Sequence, residues 1–243
     1  MIRMDPWLYD PAPDLDQSVL DRLRHFPRQP DMLVYGLRLG AAAMMRLWLR
    51  TYHRLRIVGG DHLPRDGSFI LVANHASHLD TLAILSSLPY RTLHRVFPAA
   101  ARDYFFVNVP RLLVAAVVVN ALPFDREVNV RQSLRLCAAL LDNPGNVLLL
   151  FPEGTRTTTG RLGEFKPGIG LLLAGRTVPV VPCHIEGAFA AWPKGRLIPR
   201  PRRVTVRFGP ARSYAHLKRG KAAAASIGRD LHDAITALAD PDR

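Results

Sequence analysis

Residues 69–88 read FILVANHASHLDTLAILSSL and join a short apolar strand to a polar loop and a helix. The run Phe69–Ala73 has the length and composition of a buried strand, and residues 81–88 have the apolar spacing of a helix. A second apolar run, VLLLF at residues 147–151, is followed by turn residues and then by a short helical segment at residues 168–174. Strands that alternate with helices in this way predict an α/β sheet with helices on its faces.

The rest of the chain continues the same alternation. Apolar spacing predicts helices at residues 128–141 and 222–239, and apolar or alternating runs predict strands at residues 178–184 and 203–208. The predicted fold is therefore a single α/β domain, residues 56–243, with a mostly parallel or mixed sheet flanked by helices. A chain of 243 residues suits one such domain, which can bury a large core without disulfides.

The first 55 residues differ in character and are predicted to form a separate N-terminal segment. Its opening sixteen residues contain four aspartates and no apolar core, so no secretory signal is expected. Met32–Tyr52 then reads as one helix, with an apolar face made of Leu33, Leu37, Ala41, Met44 and Trp48. The flanking sides are also apolar, and the charged residues of this region are all arginines: Arg38, Arg46, Arg50 and, just beyond the helix, Arg54. This pattern favours a helix in a lipid interface with guanidinium groups among anionic headgroups. A helix packed on the domain is the alternative.

Composition and charge narrow the class of protein. The only two cysteines, Cys137 and Cys183, lie far apart in apolar runs, which excludes a disulfide scaffold and fits a reduced compartment. The formal net charge is +13, and 29 of the 33 basic residues are arginine, so the surface is suited to binding phosphate groups. No stretch without Asp, Glu, Lys or Arg is longer than the thirteen residues of 112–124, which is shorter than the about 20 residues of a membrane-spanning helix, so no span is expected.

The first candidate site is NHASHLD at residues 74–80, directly after the first strand. His75 and Asp80 can meet only if His75 lies in the loop and Asp80 lies in the first turn of the helix. Ser77 and Asp80 have the spacing of a capping box, which supports that arrangement. Asp80 either caps the helix only, or it also orients His75 as a base. A metal site of His75, His78 and Asp80 is the weakest interpretation, because no second ligand cluster completes it.

The second candidate site is FPEGTR at residues 151–156, directly after the second apolar strand. Arg156 offers a two-pronged donor for an oxyanion, and Thr155 adds a hydroxyl group. The glycine-rich segment at residues 157–170 brings Lys166 as a further cation to the same place. A solvated surface turn is the alternative interpretation of this segment.

In this order, the two segments resemble the glycerolphosphate acyltransferase family, most closely its lysophosphatidic acid acyltransferase-like branch. The family pattern NHxxxxD matches residues 74–80, and its FPEGTR motif matches residues 151–156. Its proline-containing apolar strand matches residues 178–182, and the resemblance as a whole covers roughly residues 56–210.

A further family motif, ending in the pattern G-x-x-F-I-D-R, is matched less closely at residues 120–126. Asp125 and Arg126 are present, but Asn120 stands in place of glycine and Pro123 in place of phenylalanine. Because this motif departs from the family pattern, the acceptor is the least defined part of the resemblance.

The resemblance implies direct acyl transfer to a lipid. In the family, a histidine–aspartate dyad lets an acceptor hydroxyl attack an acyl thioester of coenzyme A or acyl carrier protein, without an acyl-enzyme. By this analogy His75 is the general base, and Asp80 orients it and stabilises the imidazolium. The acceptor phosphate and glycerol would be held by Arg126, Glu153, Gly154, Thr155, Arg156 and Lys166. Because a carboxylate repels phosphate, Glu153 is expected to orient Arg156 or a hydroxyl. The resemblance implies no metal and no cofactor beyond the acyl donor.

The expected partners follow from this activity and from charge. Residues 194–221 contain ten Lys or Arg and no acidic residue, and the segment has no recognisable nucleic-acid motif. Such a segment can be a solvated face, or it can contact the phosphates of coenzyme A or the acidic surface of a carrier protein. The interpretation we favour is contact with an anionic membrane surface. We therefore expect a peripheral or monotopic location on the cytoplasmic face of the cell membrane, with a lysophospholipid as acceptor and no nucleic acid.

Four other functions stay open at this stage. The acceptor could be another amphiphile such as a glycolipid, or the dyad could activate water in a thioesterase. The chain could instead be a basic lipid- or nucleic-acid-binding module in which Asp80 is only a cap, or a metal-dependent hydrolase. The arginines argue against the thioesterase, because water needs no anion-binding site.

Overall fold

The structure is a computed structural model that describes residues 32–101, 118–124 and 130–239. Within these ranges the strands are β1 (Arg56–Val58), β2 (Phe69–Ala73), β3 (Val96–Ala101), β4 (Leu122–Phe124), β5 (Val147–Leu150), β6 (Val180–Glu186) and β7 (Thr205–Phe208). The helices are α1 (Met32–Tyr52), α2 (Leu79–Ser87), α3 (Val130–Asp142), α4 (Gly168–Leu173), α5 (Ala188–Ala191) and α6 (Lys221–Ala239), and short 3-10 helices lie at Gly60–His62 and Tyr90–Arg95.

These strands form one sheet in the order β1-β7-β6-β2-β5-β3-β4. Every neighbouring pair is parallel except β6 and β7, which are antiparallel. The predicted α/β fold with a mixed sheet is therefore confirmed. The division of the chain at residue 55 stays a prediction.

The predicted elements agree with the structure to within a few residues at their ends. Helix α1 and strand β2 have the predicted bounds, whereas α2 begins at Leu79, two residues earlier than predicted. The reason is local: the Leu79 N–H donates to Ser77 Oγ at 3.0 Å, which starts the helix directly after the loop.

Side chains of the central strands contribute to an apolar layer on each face of the sheet. Leu71 and Val181 point to the layer shared with α1 and α2. Ile70, Leu148 and Val180 point to the opposite layer, shared with α3, α4 and α6. Because both faces are covered, β2 and β5 are apolar along their whole length, as is typical of buried parallel strands.

Helix α1 packs on the domain with one side and leaves much of its predicted apolar face exposed. Ala42, Met45, Trp48 and the fully buried Leu49 contact the first apolar layer. The exposed apolar side chains are Met32, Leu33, Leu37, Leu39, Met44 and Leu47, and Leu33 is 71% exposed. By length and composition alone, α1 is long and apolar enough to cross a membrane.

Two arginines of α1 contact the domain. Arg38 is only 4% exposed and donates from Nη2 to Oδ1 of Asn120 at 3.2 Å. Arg46 donates to the carbonyl of Leu88, and its guanidinium lies 4.0 Å from the centre of the Tyr90 ring. The prediction that the arginines of this segment lie among lipid headgroups is therefore wrong for Arg38 and Arg46, because packing turns their side of the helix toward the protein.

Candidate active site

The two predicted segments meet at the carboxyl ends of β2 and β5, which are parallel neighbours in the middle of the sheet. The loop after β2 carries His75, and the loop after β5 carries the FPEGTR segment. The backbone N–H of Thr157 donates to the carbonyl of His75 at 2.9 Å, so the two loops are joined directly. Ligands of open α/β sheets bind at this edge, where loops from neighbouring strands converge.

His75 and Asp80 form a hydrogen-bonded pair. His75 Nδ1 lies 2.8 Å from Asp80 Oδ2, and the side chain of Asp80 is fully buried while that of His75 is 23% exposed. The ring of His75 also stacks on Phe151, with centroids 4.1 Å apart. When Nδ1 donates to the carboxylate, Nε2 of the neutral ring carries the lone pair of a base.

The same Asp80 oxygen also caps the helix. Oδ2 accepts the backbone N–H of Ala76 at 2.6 Å and that of Ser77 at 2.7 Å. The second bond is the half of a capping box in which the acidic side chain reaches back to the start of the helix. The cap and the histidine contact therefore coexist, and the cap holds the carboxylate in the position from which it contacts His75.

Glu153 holds backbone groups of both loops. It is 6% exposed, its Oε1 accepts the His75 N–H at 2.7 Å, and its Oε2 accepts the Gly163 N–H at 2.9 Å. Burial raises the pKa of this carboxyl, against the opposing effect of the two N–H donors. These contacts differ from the expectation that Glu153 orients Arg156 or a hydroxyl, because each carboxylate oxygen accepts a backbone N–H.

Arg156 lies beside the dyad. Its Nη1 is 2.6 Å from Nδ1 of His78, two positions before Asp80. Burial, and then the positive charge of Arg156, lower the pKa of His78, which favours a neutral ring that accepts from the guanidinium. The arrangement places the guanidinium of Arg156 against the residue two positions before Asp80.

The other predicted binding residues line the same turn, with one exception. Gly154 has a φ of 73°, which glycine adopts readily, and a Cβ at this position would lie 3.6 Å from Cγ of Lys166. Thr155 and Lys166 are exposed at the surface. Arg126 lies outside the described residues.

Asn120 explains part of the departure from the family motif. Its φ is 57°, in the left-handed region that glycine adopts readily and that asparagine adopts more often than most other residues. Its side-chain Nδ2 donates to the carbonyls of His94 and Val96 at 3.1 and 3.2 Å. An asparagine thus keeps the backbone shape that glycine allows and adds hydrogen bonds to the neighbouring chain.

The sequence pattern indicated only a capping role for Ser77 and no role for Asn74 or Trp192. Asn74 accepts the Ile185 N–H at 2.7 Å and donates to the Ile185 carbonyl at 3.0 Å, which ties the end of β2 to β6. Ser77 Oγ donates to the carbonyl of Trp192 at 2.6 Å, and the Trp192 ring lies 5.2 Å from that of His78. A polar residue at the end of a buried strand could have indicated Asn74. Nothing in the sequence pattern indicated Trp192.

Among the residues that the structure describes, no group of three or more His, Cys, Asp or Glu side chains is arranged to hold a metal ion. Within those same ranges, the interpretation of His75, His78 and Asp80 as metal ligands has no geometric support.

Known proteins resemble this chain in sequence and in fold. A family model described as Acyltransferase matches residues 54–186. The chain is 28% identical over 158 residues to a 1-acyl-sn-glycerol-3-phosphate acyltransferase of Limnanthes douglasii, covering 64% of this chain and 53% of that protein. It is 32% identical over 157 residues to the chloroplastic 1-acyl-sn-glycerol-3-phosphate acyltransferase of Arabidopsis thaliana, covering 62% and 42%.

The chain thus spans about half the length of the curated relatives it matches. A crystal structure of the 1-acyl-sn-glycerophosphate acyltransferase of Thermotoga maritima has the same fold. Its TM-score is 0.62 at 22% identity, and the match covers 86% of this chain and 81% of that one.

Proposed function

The chain belongs to the acyltransferase family, and from that premise we propose that it moves a fatty acyl group from an acyl thioester to the free hydroxyl of 1-acyl-glycerol-3-phosphate. The observation that carries the proposal is the 2.8 Å contact of His75 with the buried Asp80, beside Arg156. The relatives' substrate supports this choice of acceptor, and the arginine supports a phosphate-bearing one. The donor is an acyl thioester of coenzyme A or of acyl carrier protein.

In the proposed mechanism, Nε2 of His75 takes the proton of the acceptor hydroxyl as the oxygen attacks the thioester carbonyl. The tetrahedral intermediate collapses with breakage of the C–S bond, and the imidazolium returns the proton to the leaving thiolate. Asp80 keeps Nδ1 protonated and stabilises the imidazolium between these steps. The products are a diacyl lipid and a free thiol, and no acyl-enzyme forms.

The surrounding residues have supporting roles in this mechanism. Glu153 fixes the backbone of His75, so that its ring does not swing away from the acceptor. Arg156, Thr155, Gly154 and Lys166 form the surface that receives the acceptor phosphate and glycerol, and Arg126 belongs to the same set by family analogy.

We further propose that the protein works at the cytoplasmic face of the cell membrane as a peripheral or monotopic protein. The support is the exposed apolar side of α1, with Leu33 and Met44 71% and 68% exposed. A lipid acceptor is dissolved in the bilayer, so an enzyme held at its surface meets that acceptor directly.

The test is release of free thiol from palmitoyl-coenzyme A, with and without lysophosphatidic acid, by the wild type and by His75→Ala. We expect release that depends on the acceptor and is lost in the variant. Release that is independent of the acceptor would show a thioesterase instead. Full activity of a folded His75→Ala protein would remove the dyad from the mechanism, and inhibition by a strong chelator would point to a metal-dependent hydrolase.

A further inference from the structure

A loop between α5 and β7 combines exposed apolar residues with a high density of positive charge. We call residues 194–203, KGRLIPRPRR, the arginine loop. Leu197 is 91% exposed and Ile198 is 74% exposed, the first being the most exposed of the large apolar side chains in the described ranges. The loop contains five cations and no acidic residue: Lys194, Arg196, Arg200, Arg202 and Arg203. All five are exposed.

Within the described residues, none of these five cations forms an ion pair with an acidic side chain. The ion pairs within the described part of the chain use other residues, such as Arg207 with Glu186 and Arg212 with Asp230. Five like charges held within ten residues repel one another, and a negatively charged surface relieves that repulsion. Exposure of the two aliphatic side chains, Leu197 and Ile198, to water is unfavourable, and their transfer to an apolar environment lowers the free energy.

The arginine loop is held firmly at its base. The Trp192 Nε1–H donates to the Arg196 carbonyl at 2.8 Å, and the Arg200 N–H donates to the Ala191 carbonyl at 2.8 Å. Pro193, Pro199 and Pro201 restrict the backbone further. A loop closed in this way presents Leu197 and Ile198 without the loss of much chain entropy on binding.

The same loop contacts α1 directly and is linked to the candidate active site through Trp192, which precedes it in the chain. The Tyr52 hydroxyl, at the end of α1, donates to the Pro199 carbonyl at 3.1 Å, so the loop adjoins the helix whose apolar side is exposed. At the other end, Trp192 accepts from Ser77 and lies against His78. One rigid connection therefore runs from the arginine loop to the segment that carries the dyad.

We propose that the arginine loop is a second membrane contact, in which Leu197 and Ile198 enter the headgroup region of an anionic bilayer and the five cations bind lipid phosphates. Together with α1, it gives the protein two contacts with the bilayer, and two contacts fix the angle at which the site faces the lipid. The role of this contact in catalysis rests on the function proposed above; the membrane contact itself does not.

The first experiment measures binding to vesicles of phosphatidylcholine with phosphatidylglycerol, and to vesicles of phosphatidylcholine alone. The double variant Leu197→Ser, Ile198→Ser should bind the anionic vesicles at least about tenfold more weakly. The double variant Arg200→Gln, Arg202→Gln should lose about fivefold per cation. Matched controls are Leu171→Ser, an exposed leucine on α4, and Arg229→Gln on α6, both on helices of the opposite face, and neither should weaken binding.

A second experiment reports insertion directly. Both native cysteines are buried, so an environment-sensitive fluorophore can be attached at the thiol introduced by Ile198→Cys. We expect its emission to shift to the blue with anionic vesicles, whereas the same label at Leu171→Cys should not respond. Unchanged binding of the double variants together with an unresponsive label at position 198 would overturn the proposal.

Measurements of acyl transfer distinguish the proposed membrane contact from the proposed acyltransferase function, on which the catalytic role of that contact rests. The Leu197→Ser, Ile198→Ser variant should transfer acyl groups normally to lysophosphatidic acid in detergent micelles and more slowly to the same acceptor in vesicles. Normal vesicle binding with a loss of transfer only from acyl carrier protein would overturn the membrane role and indicate an acidic protein partner. If the protein has no transferase activity at all, the binding and fluorescence results still decide whether the loop contacts lipid.

Discussion

At the residue scale, Asp80 has two tasks that one substitution can separate. Its Oδ2 is hydrogen-bonded to Nδ1 of His75 and accepts two backbone N–H groups. A single oxygen therefore both caps α2 and orients the proposed base. Asp80→Asn keeps an oxygen at this position and removes the charge that stabilises the imidazolium. We expect kcat for acceptor-dependent thiol release to fall by about 10²- to 10⁴-fold.

The control for this prediction is Ser77→Ala. Ser77 Oγ receives the Leu79 N–H and donates to the Trp192 carbonyl, without contact with the His75 ring. This change should lower the free energy of unfolding by about 1 kcal/mol and leave the chemical step largely intact. Wild-type kcat in Asp80→Asn would mean that Asp80 is only a cap.

The burial of His184 leads to a prediction of how the free energy of unfolding depends on pH. It lies on β6, its Nδ1 is buried with no hydrogen-bond partner among the described residues, and its pKa is lowered to about 4 by burial and then by the charge of Arg207. The unfolded chain takes up a proton near pH 6.5, before the folded one does. The neutral His184 ring therefore makes its full contribution to the free energy of unfolding above about pH 6.5. This contribution decreases as the pH falls and no longer changes below about pH 4.

The size of this effect is on the order of 3 kcal/mol across that window. The measurement is the free energy of unfolding in urea between neutral and acidic pH, for the wild type and for His184→Gln. His53 and His78 also have lowered pKa values, through burial first, so both proteins should lose stability in acid. His184→Gln should lose less stability between neutral and acidic pH than the wild type. An equal dependence of the free energy of unfolding on pH in the two proteins would contradict the effect assigned to His184.

At the element scale, the crossing of α4 and α6 depends on one glycine. A Cβ at Gly170 would lie 2.1 Å from the Ala224 carbonyl oxygen, which is far closer than atoms can approach. Because both partners belong to packed helices, Gly170→Ala must push the helices apart. We expect a loss of about 3 kcal/mol in the free energy of unfolding, measured by urea denaturation.

Gly228 in α6 is the matched control for this substitution. Nothing lies within 4 Å of a Cβ at that position, and the residue is in the interior of a helix. Gly228→Ala should therefore stabilise the protein by about 0.5–1 kcal/mol, because alanine loses less backbone entropy on folding. Destabilisation by both substitutions to the same extent would show that the close contact at Gly170 is not the cause.

At the scale of the whole molecule, charge and apolar surface make different contributions to membrane binding. The net charge of +13 should attract the protein to vesicles containing phosphatidylglycerol, and salt screens that attraction as the Debye length falls from about 10 Å at 0.1 M to about 3 Å at 1 M. Burial of the exposed apolar side of α1 is not screened. We therefore expect added sodium chloride to remove most, but not all, of the bound protein in a sedimentation assay.

Vesicles of phosphatidylcholine alone are the control for the effect of salt. They should bind the protein weakly and to the same extent at low and high salt, since only the apolar contribution remains. Binding to anionic vesicles that does not change with salt would mean that the arginines have no part in it.

The sequence by itself determined the order of helices and strands, because apolar periodicity is a local property of each segment. It was enough to predict α1 and β2 to the residue and to place the NHASHLD and FPEGTR segments each directly after an apolar strand. It also identified the pair of His75 and Asp80, since a spacing of five residues allows only one local arrangement for their contact. The roles of these side chains in catalysis stay predictions.

Only the tertiary structure decided which long-range partners these residues have. The contacts of His75 with Glu153 and of His78 with Arg156 each join residues 78 positions apart, and that of Ser77 with Trp192 joins residues 115 apart. The side of α1 that covers the domain was settled in the same way, with Arg38 buried against Asn120. Such contacts depend on which strands become neighbours, and strand order is a property of the whole sheet that no local pattern encodes.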